Sequence, residues 1–143
     1  MDTAFWSATR LVRALRAKKI GALELLDLYV ARIARHDDAL NSLCVLDFDA
    51  ARKRARGFDR ASGRAKAGPL AGLPMTVKES FDLKGHPTTW GLAEYKNTRA
   101  VSNAVAVERF ARAGANLFGK SNVPTLLADW ETNNPVYGKT VNP

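Results

Sequence analysis

"GLPMTVKESF", residues 72–81, decides how this chain is read. Apolar and polar residues alternate through it, which is the period of a half-buried strand. Leu73, Met75, Val77, Glu79 and Phe81 fall on one face, and Thr76, Lys78, Ser80 and Asp82 on the other. The spacing predicts a strand over 73–82. Lys78 raises the question of what a charge does in such a run, because charged side chains are rarely buried without a partner. On the pattern alone, Lys78 sits on the polar face and points to water. Lys78 and Ser80 are two residues apart on that face, so a serine–lysine pair is geometrically open, though a spacing this common has little specificity.

Upstream of this strand the sequence is helical. Ser7 is placed to cap a helix carrying Leu11, Val12 and Leu15, and Gly21 breaks it. "ALELLDLYVARIARH" sets Leu26, Tyr29, Val30 and Ile33 at i, i+3, i+4 and i+7, an apolar stripe with charge opposite. "SLCVLDF" (42–48) fits a short strand or a helix entry, and "DAARKRARGFDRAS" predicts a basic helix. "GRAKAGPLAG" (63–72) predicts a loop. Downstream, "KGHPTTWG" is a loop and "SNAVAVERFARAG" a helix ending at Gly114. "ANLFGK" is a short strand, and the rest is loop with at most one short helix at Thr125–Trp130. Helices followed by strand, helix and strand indicate an α/β fold.

Composition narrows the functional classes. The 143 residues fit one domain with an ordinary apolar share of 46%. Cys44 is the sole cysteine, which excludes an internal disulfide and a paired-cysteine metal site. The start, "MDTAFWSATR", lacks the pattern of a secretory signal, and no apolar run approaches a membrane span. A cytoplasmic location without membrane contact is the expectation. The net charge of +8 concentrates in "ARKRARGFDRASGRAK" (51–66). Such a stretch could be a nucleic-acid or acidic-partner patch. No aromatic platform or nucleic-acid motif accompanies it, which favours the solvated face of a helix.

Two further patterns have structural requirements that the surrounding sequence does not meet. "GANLFGKS" (114–121) matches the phosphate-binding pattern G-x-x-x-x-G-K-[ST] letter for letter. That loop follows a strand and opens a helix. Here a helix precedes, the interior is apolar and strand-like, and "NVP" follows. His36 and His86 lie far apart without a ligand-spaced partner, so no metal and no cofactor are expected.

The segment "GPLAGLPMTVKESFDLKGHPTTWG" resembles the amidase signature family, whose members carry "G-P-L-x-G-[IL]-P-x-x-V-K-[DE]". "AVERFARAGANLFGKSNVP" is similar to the family's "L-x-x-A-G-A-x-x-x-G-K-[TS]-N-x-P". "DWETNNPVYGKTVNP" resembles the stretch just upstream of its glycine/serine-rich signature, and the N-terminal helices resemble its opening region. The resemblance covers nearly the whole chain.

It implies an α/β protein in which N-terminal helices (about 5–66) precede the first strands and helix of a mixed sheet (about 67–143). It implies hydrolysis of small-molecule carboxylic amides by a Ser–Ser–Lys mechanism, with Lys78 as the catalytic lysine. In that mechanism a neutral lysine takes a proton from a bridging serine, which takes one from the nucleophilic serine. A free lysine titrates near ~10.4, so a base working near neutrality needs surroundings that disfavour its charged form. The family's "G-G-S-S-G-G" segment and nucleophile come after "N-P", and this chain stops at Asn142-Pro143. It therefore resembles the N-terminal third of an amidase, truncated before both serines, and is expected to be inactive alone and to self-associate. Ser80 and Ser121 are poor substitutes, lying outside any Gly/Ser-rich turn. Asn122 and Asn134 are expected to hold loops. The alternatives are a non-catalytic basic interaction module and a fragment of an amidotransferase.

Overall fold

The computed structural model describes residues 3–61 and 68–143. The end of the basic stretch and the start of the 63–72 loop lie outside them. Four helices, α1 (Ala8–Arg16), α2 (Ala22–Leu40), α3 (Phe48–Arg60) and α4 (Val105–Arg112), combine with three strands, β1 (Leu43–Leu46), β2 (Pro74–Lys78) and β3 (Asn116–Ser121). The strand order is β1-β3-β2. β1 runs antiparallel to β3 and β2 parallel to it, so the sheet is mixed. The β2–α4–β3 passage is the crossover that parallel neighbours require. The α/β class expected from the sequence is the observed one.

Helix boundaries follow local chemistry. Ser7 Oγ accepts the Arg10 N–H at 3.3 Å and caps α1. Gly21, the predicted break, is the N-cap of α2. The free N–H groups of Ala22 and Leu23 donate to the Asp59 carboxylate at 2.7 and 3.0 Å. An acid near the end of α3 thus caps α2 and fixes how the two helices meet. α2 runs one turn past His36, to Leu40, and stops where Asn41 adopts φ 53°. Gly114, at φ +91° just beyond α4, ends that helix as expected.

Two apolar cores sandwich the sheet. Leu11, Leu15, Leu25 and Leu26 pack with Leu73 and Phe118 on the side of α1–α3, and Ala22, Ala51 and Ala55 allow the helices close approach. Val77, Ala115 and Leu117 pack with Val107 beneath α4. Adjacent residues of β3, Leu117 and Phe118, therefore feed opposite layers, while β2 contributes Met75 and Val77 to the α4 side.

The predicted strand over 73–82 is shorter than expected. β2 ends at Lys78, and the N–H of Phe81 turns back to the Lys78 carbonyl at 3.0 Å. That turn removes Ser80 and Asp82 from the strand's polar face and leaves Phe81 43% exposed. The predicted helix at Thr125–Trp130 is a single 3-10 turn, Thr125–Leu127, because Leu126 and Leu127 adopt φ of 55° and 61°, which no right-handed helix continues.

Gly119 has a specific packing role in β3. A Cβ there would lie 2.5 Å from the Val45 carbonyl oxygen of β1. Gly119→Ala is expected to push the two strands apart and to lower stability by about 1–3 kcal/mol, read as a lower urea midpoint with unchanged slope. A midpoint equal to that of the parent would contradict the close approach.

Candidate active site

Lys78 closes β2 and stands in register with Ser121, the last residue of β3. Both are therefore at the carboxyl end of a parallel pair, the end at which open α/β sheets bind ligands. The ladder holds beyond this point by one bond, from the Glu79 N–H to the Ser121 carbonyl at 2.9 Å. The Lys78 side chain is exposed. Beside it, Thr76, Phe81 and Phe110 line a shallow groove of about 190 Å³ between β2 and α4. β2 is an edge strand, so among the described residues its outer side has no strand partner.

The residue after Lys78 organises this region. Glu79 is completely buried. Its carboxylate accepts the Thr89 N–H at 2.7 Å, the Trp90 N–H at 3.1 Å and the Tyr137 hydroxyl at 3.2 Å. Two segments, the 89–90 loop and the stretch carrying Tyr137, thus converge on one carboxylate immediately beyond Lys78. Burial pushes the Tyr137 phenol well above its ordinary range, and the neighbouring Glu79 charge adds to that. Tyr137 is therefore a fixed donor to Glu79.

Lys120 supplies the compensating charge. It is fully buried, and its ammonium donates to the Pro87 carbonyl and, at 3.0 Å, to Thr88 Oγ1. Burial lowers its pKa, and the Glu79 charge opposes that drop. Both ionisable groups hold the 87–90 loop, Lys120 through Pro87 and Thr88, Glu79 through Thr89 and Trp90. Trp90 is held at φ 55°, which side chains other than glycine seldom adopt, with its ring 43% exposed.

A second set of bonds locks the outer loops. Asn134, buried, donates to Asn122 Oδ1 at 2.9 Å and to the Val123 carbonyl at 2.8 Å. Its own oxygen accepts the N–H groups of Val136 and Tyr137. Asn122 donates to the Gly138 carbonyl at 3.1 Å. Both asparagines hold loops, as expected, and they place Tyr137 against Glu79. Gly91, at φ +72°, lies where a Cβ would meet the Asn134 Cβ at 2.7 Å, so this corner admits only glycine.

The remaining candidates separate cleanly. The letters of "GANLFGKS" form β3, not a loop, and the lysine that would grip phosphate is Lys120, inside the protein. Ser80 lies in the turn after β2. His36 is exposed on α2. His86 Nε2 lies 3.6 Å from the Asp47 carboxylate. Among the described residues no group of His, Cys, Asp or Glu is placed to hold a metal ion. Cys44 is half-buried, and burial pushes its thiol up to about 12, so it is a poor nucleophile. Sequence reasoning placed Glu79 on the apolar face of the strand without asking why an acid should be there, and that position was the available signal for the network. Tyr137 and Lys120 gave none.

Residues 24–143 match the Amidase family profile. The chain belongs to the amidase family. Among curated relatives, the putative amidase AmiB2 of Mycobacterium bovis is 36% identical over 142 residues, covering 99% of this chain and 30% of that protein. A glutamyl-tRNA(Gln) amidotransferase component from Aromatoleum aromaticum is 35% identical over 137 residues, covering 96% of this chain and 28% of the relative. Among solved structures, a 6-aminohexanoate cyclic dimer hydrolase superimposes with a TM-score of 0.85 at 27% identity, covering 99% of this chain and 28% of that one. This amidase chain thus spans less than a third of the length of these relatives. The mixed three-stranded sheet with its helices is the part of the amidase fold that the neighbours share.

Proposed function

We propose that this chain carries the lysine base of a carboxylic-amide hydrolase, and that the base is Lys78. The supporting observation is its position. Lys78 ends a parallel strand at the ligand-binding end of the sheet, next to a carboxylate that gathers two loops. In the proposed reaction the neutral amine accepts a proton relayed from a nucleophilic serine through a bridging serine. The serine oxygen attacks the amide carbon, and the C–N bond breaks. The amine leaves with the relayed proton, and water hydrolyses the ester. The reading includes a cytoplasmic setting; no helix among the described residues is long and apolar enough to cross a membrane.

Neither serine of this mechanism has a counterpart in residues 1–143, which contain no Gly/Ser-rich segment. The 143-residue chain alone is therefore expected to release no ammonia from simple amides above background. Ammonia release assayed beside Lys78→Ala tests this. Turnover that disappears in the variant would overturn the expected inactivity and make Ser80 the first nucleophile to examine. The likeness to an amidotransferase component supports a second reading, in which the same chemistry liberates ammonia for transfer. Glutamine as the preferred amide, against an aryl or alkyl amide, would separate the two.

A further inference from the structure

We propose that the cleft between α3, α4 and the 83–86 loop is a binding site for a small oxyanion, a carboxylate or a phosphate group. The cleft has a volume of about 300 Å³, with Leu117 in its apolar lining and Arg54, Lys84, His86 and Asp47 around it. It does not depend on the amide reading.

The guanidinium wall is fixed in advance. Arg54 Nε donates to Asn116 Oδ1 at 3.0 Å, and Nη2 to the Leu117 carbonyl at 2.5 Å. Asn116 is itself buried and anchored to the Ala51 carbonyl at 3.0 Å. The guanidinium plane is thus held from behind, with Nη1 on the side of Asp47. The backbone of the loop carrying Lys84 and His86 is pinned, the Lys84 N–H donating to the Asn103 side-chain Oδ1 at 2.8 Å and the His86 N–H to the Leu83 carbonyl at 2.9 Å. The Arg54 donor, held in place before a ligand arrives, loses little freedom on binding it.

Asp47 sits between Arg54 and His86 without saturating either. It lies 3.6 Å from Arg54 Nη1 and 3.6 Å from His86 Nε2, both too long for hydrogen bonds. Arg54 and Lys84 outweigh the single carboxylate even with His86 neutral. An oxyanion approaching Nη1 at ordinary distance gains the charge-assisted bond that Asp47 does not make. Both Arg54 and its neighbour Lys53 on α3 are exposed, but only Arg54 lines the cleft.

The test is a titration of the ¹⁵N-labelled 143-residue chain with inorganic phosphate and, separately, with acetate, at constant ionic strength. Saturable shifts are expected at the amides of Lys84, His86, Asn103 and Leu117. Arg54→Gln should weaken binding at least about tenfold, the effect of losing one charge-assisted bond. Lys84→Gln should weaken it about threefold by removing one charge from the wall, and Lys53→Gln should leave it unchanged. Saturation by phosphate alone supports a phosphate group, by acetate alone a carboxylate, and by both the shared chemistry. Shifts no larger in the cleft than along the outer faces of α1 and α3 would overturn the proposal. Equal effects of the Arg54 and Lys53 substitutions would do the same. Should Arg54→Gln fail to fold, the comparison of Lys84→Gln with Lys53→Gln decides alone, since both lysines are exposed.

Discussion

Replacing Glu79 with leucine is expected to destabilise the chain by about 3 kcal/mol. The substitution removes the acceptor of two backbone N–H groups, at Thr89 and Trp90, and of the Tyr137 hydroxyl. Thr89 is fully buried, so its donor finds no water to replace the carboxylate. It also removes the main negative charge offsetting the burial of Lys120, which is left with the weaker influence of Cys44 and Asp82. Leucine fills the space but supplies neither function. Glu79→Gln keeps an acceptor and should cost roughly half as much, because the charge is lost and part of the hydrogen bonding stays. Urea unfolding of the parent and both variants, followed by far-UV circular dichroism, reads the difference. The order parent, glutamine, leucine in midpoint is the expected result. A leucine variant within about 0.5 kcal/mol of the parent, the range of ordinary surface substitutions, would show that the carboxylate does not organise the loops.

The helical half of the fold was legible because its information is local. Apolar stripes on α1 and α2, a serine cap and a glycine after α4 each act within a turn or two of chain. The existence of β2 and β3, with a helix between them, followed from apolar patterning. The network around Glu79 was not legible, since its partners come from the 89–90 loop and from Tyr137, and no short-range pattern announces them. The glycine and lysine of "GKS" show the same limit. Gly119 is needed for the approach of β1, and Lys120 is needed inside, yet their letters spell a phosphate loop. Three-dimensional neighbours, not spacing, separate the two meanings. The end of β2 was misplaced for a related reason. Alternation continues through Phe81, but the chain turns at Lys78.

The role of Lys78 is tested most directly in a chimera that joins residues 1–143 to the remaining length of AmiB2, the relative that is 36% identical and extends well beyond this chain. Amide hydrolysis by the chimera, followed as ammonia release, is compared with that of the Lys78→Ala and Lys78→Arg forms. Alanine cannot accept the relayed proton, and arginine stays charged at every accessible pH, so neither can serve as the base. The proposal predicts that both substitutions lower kcat/KM by at least about 10³-fold while the chimera stays folded, with the far-UV circular dichroism of the parent. Hydrolysis by the Lys78→Ala chimera within tenfold of the parent would contradict it.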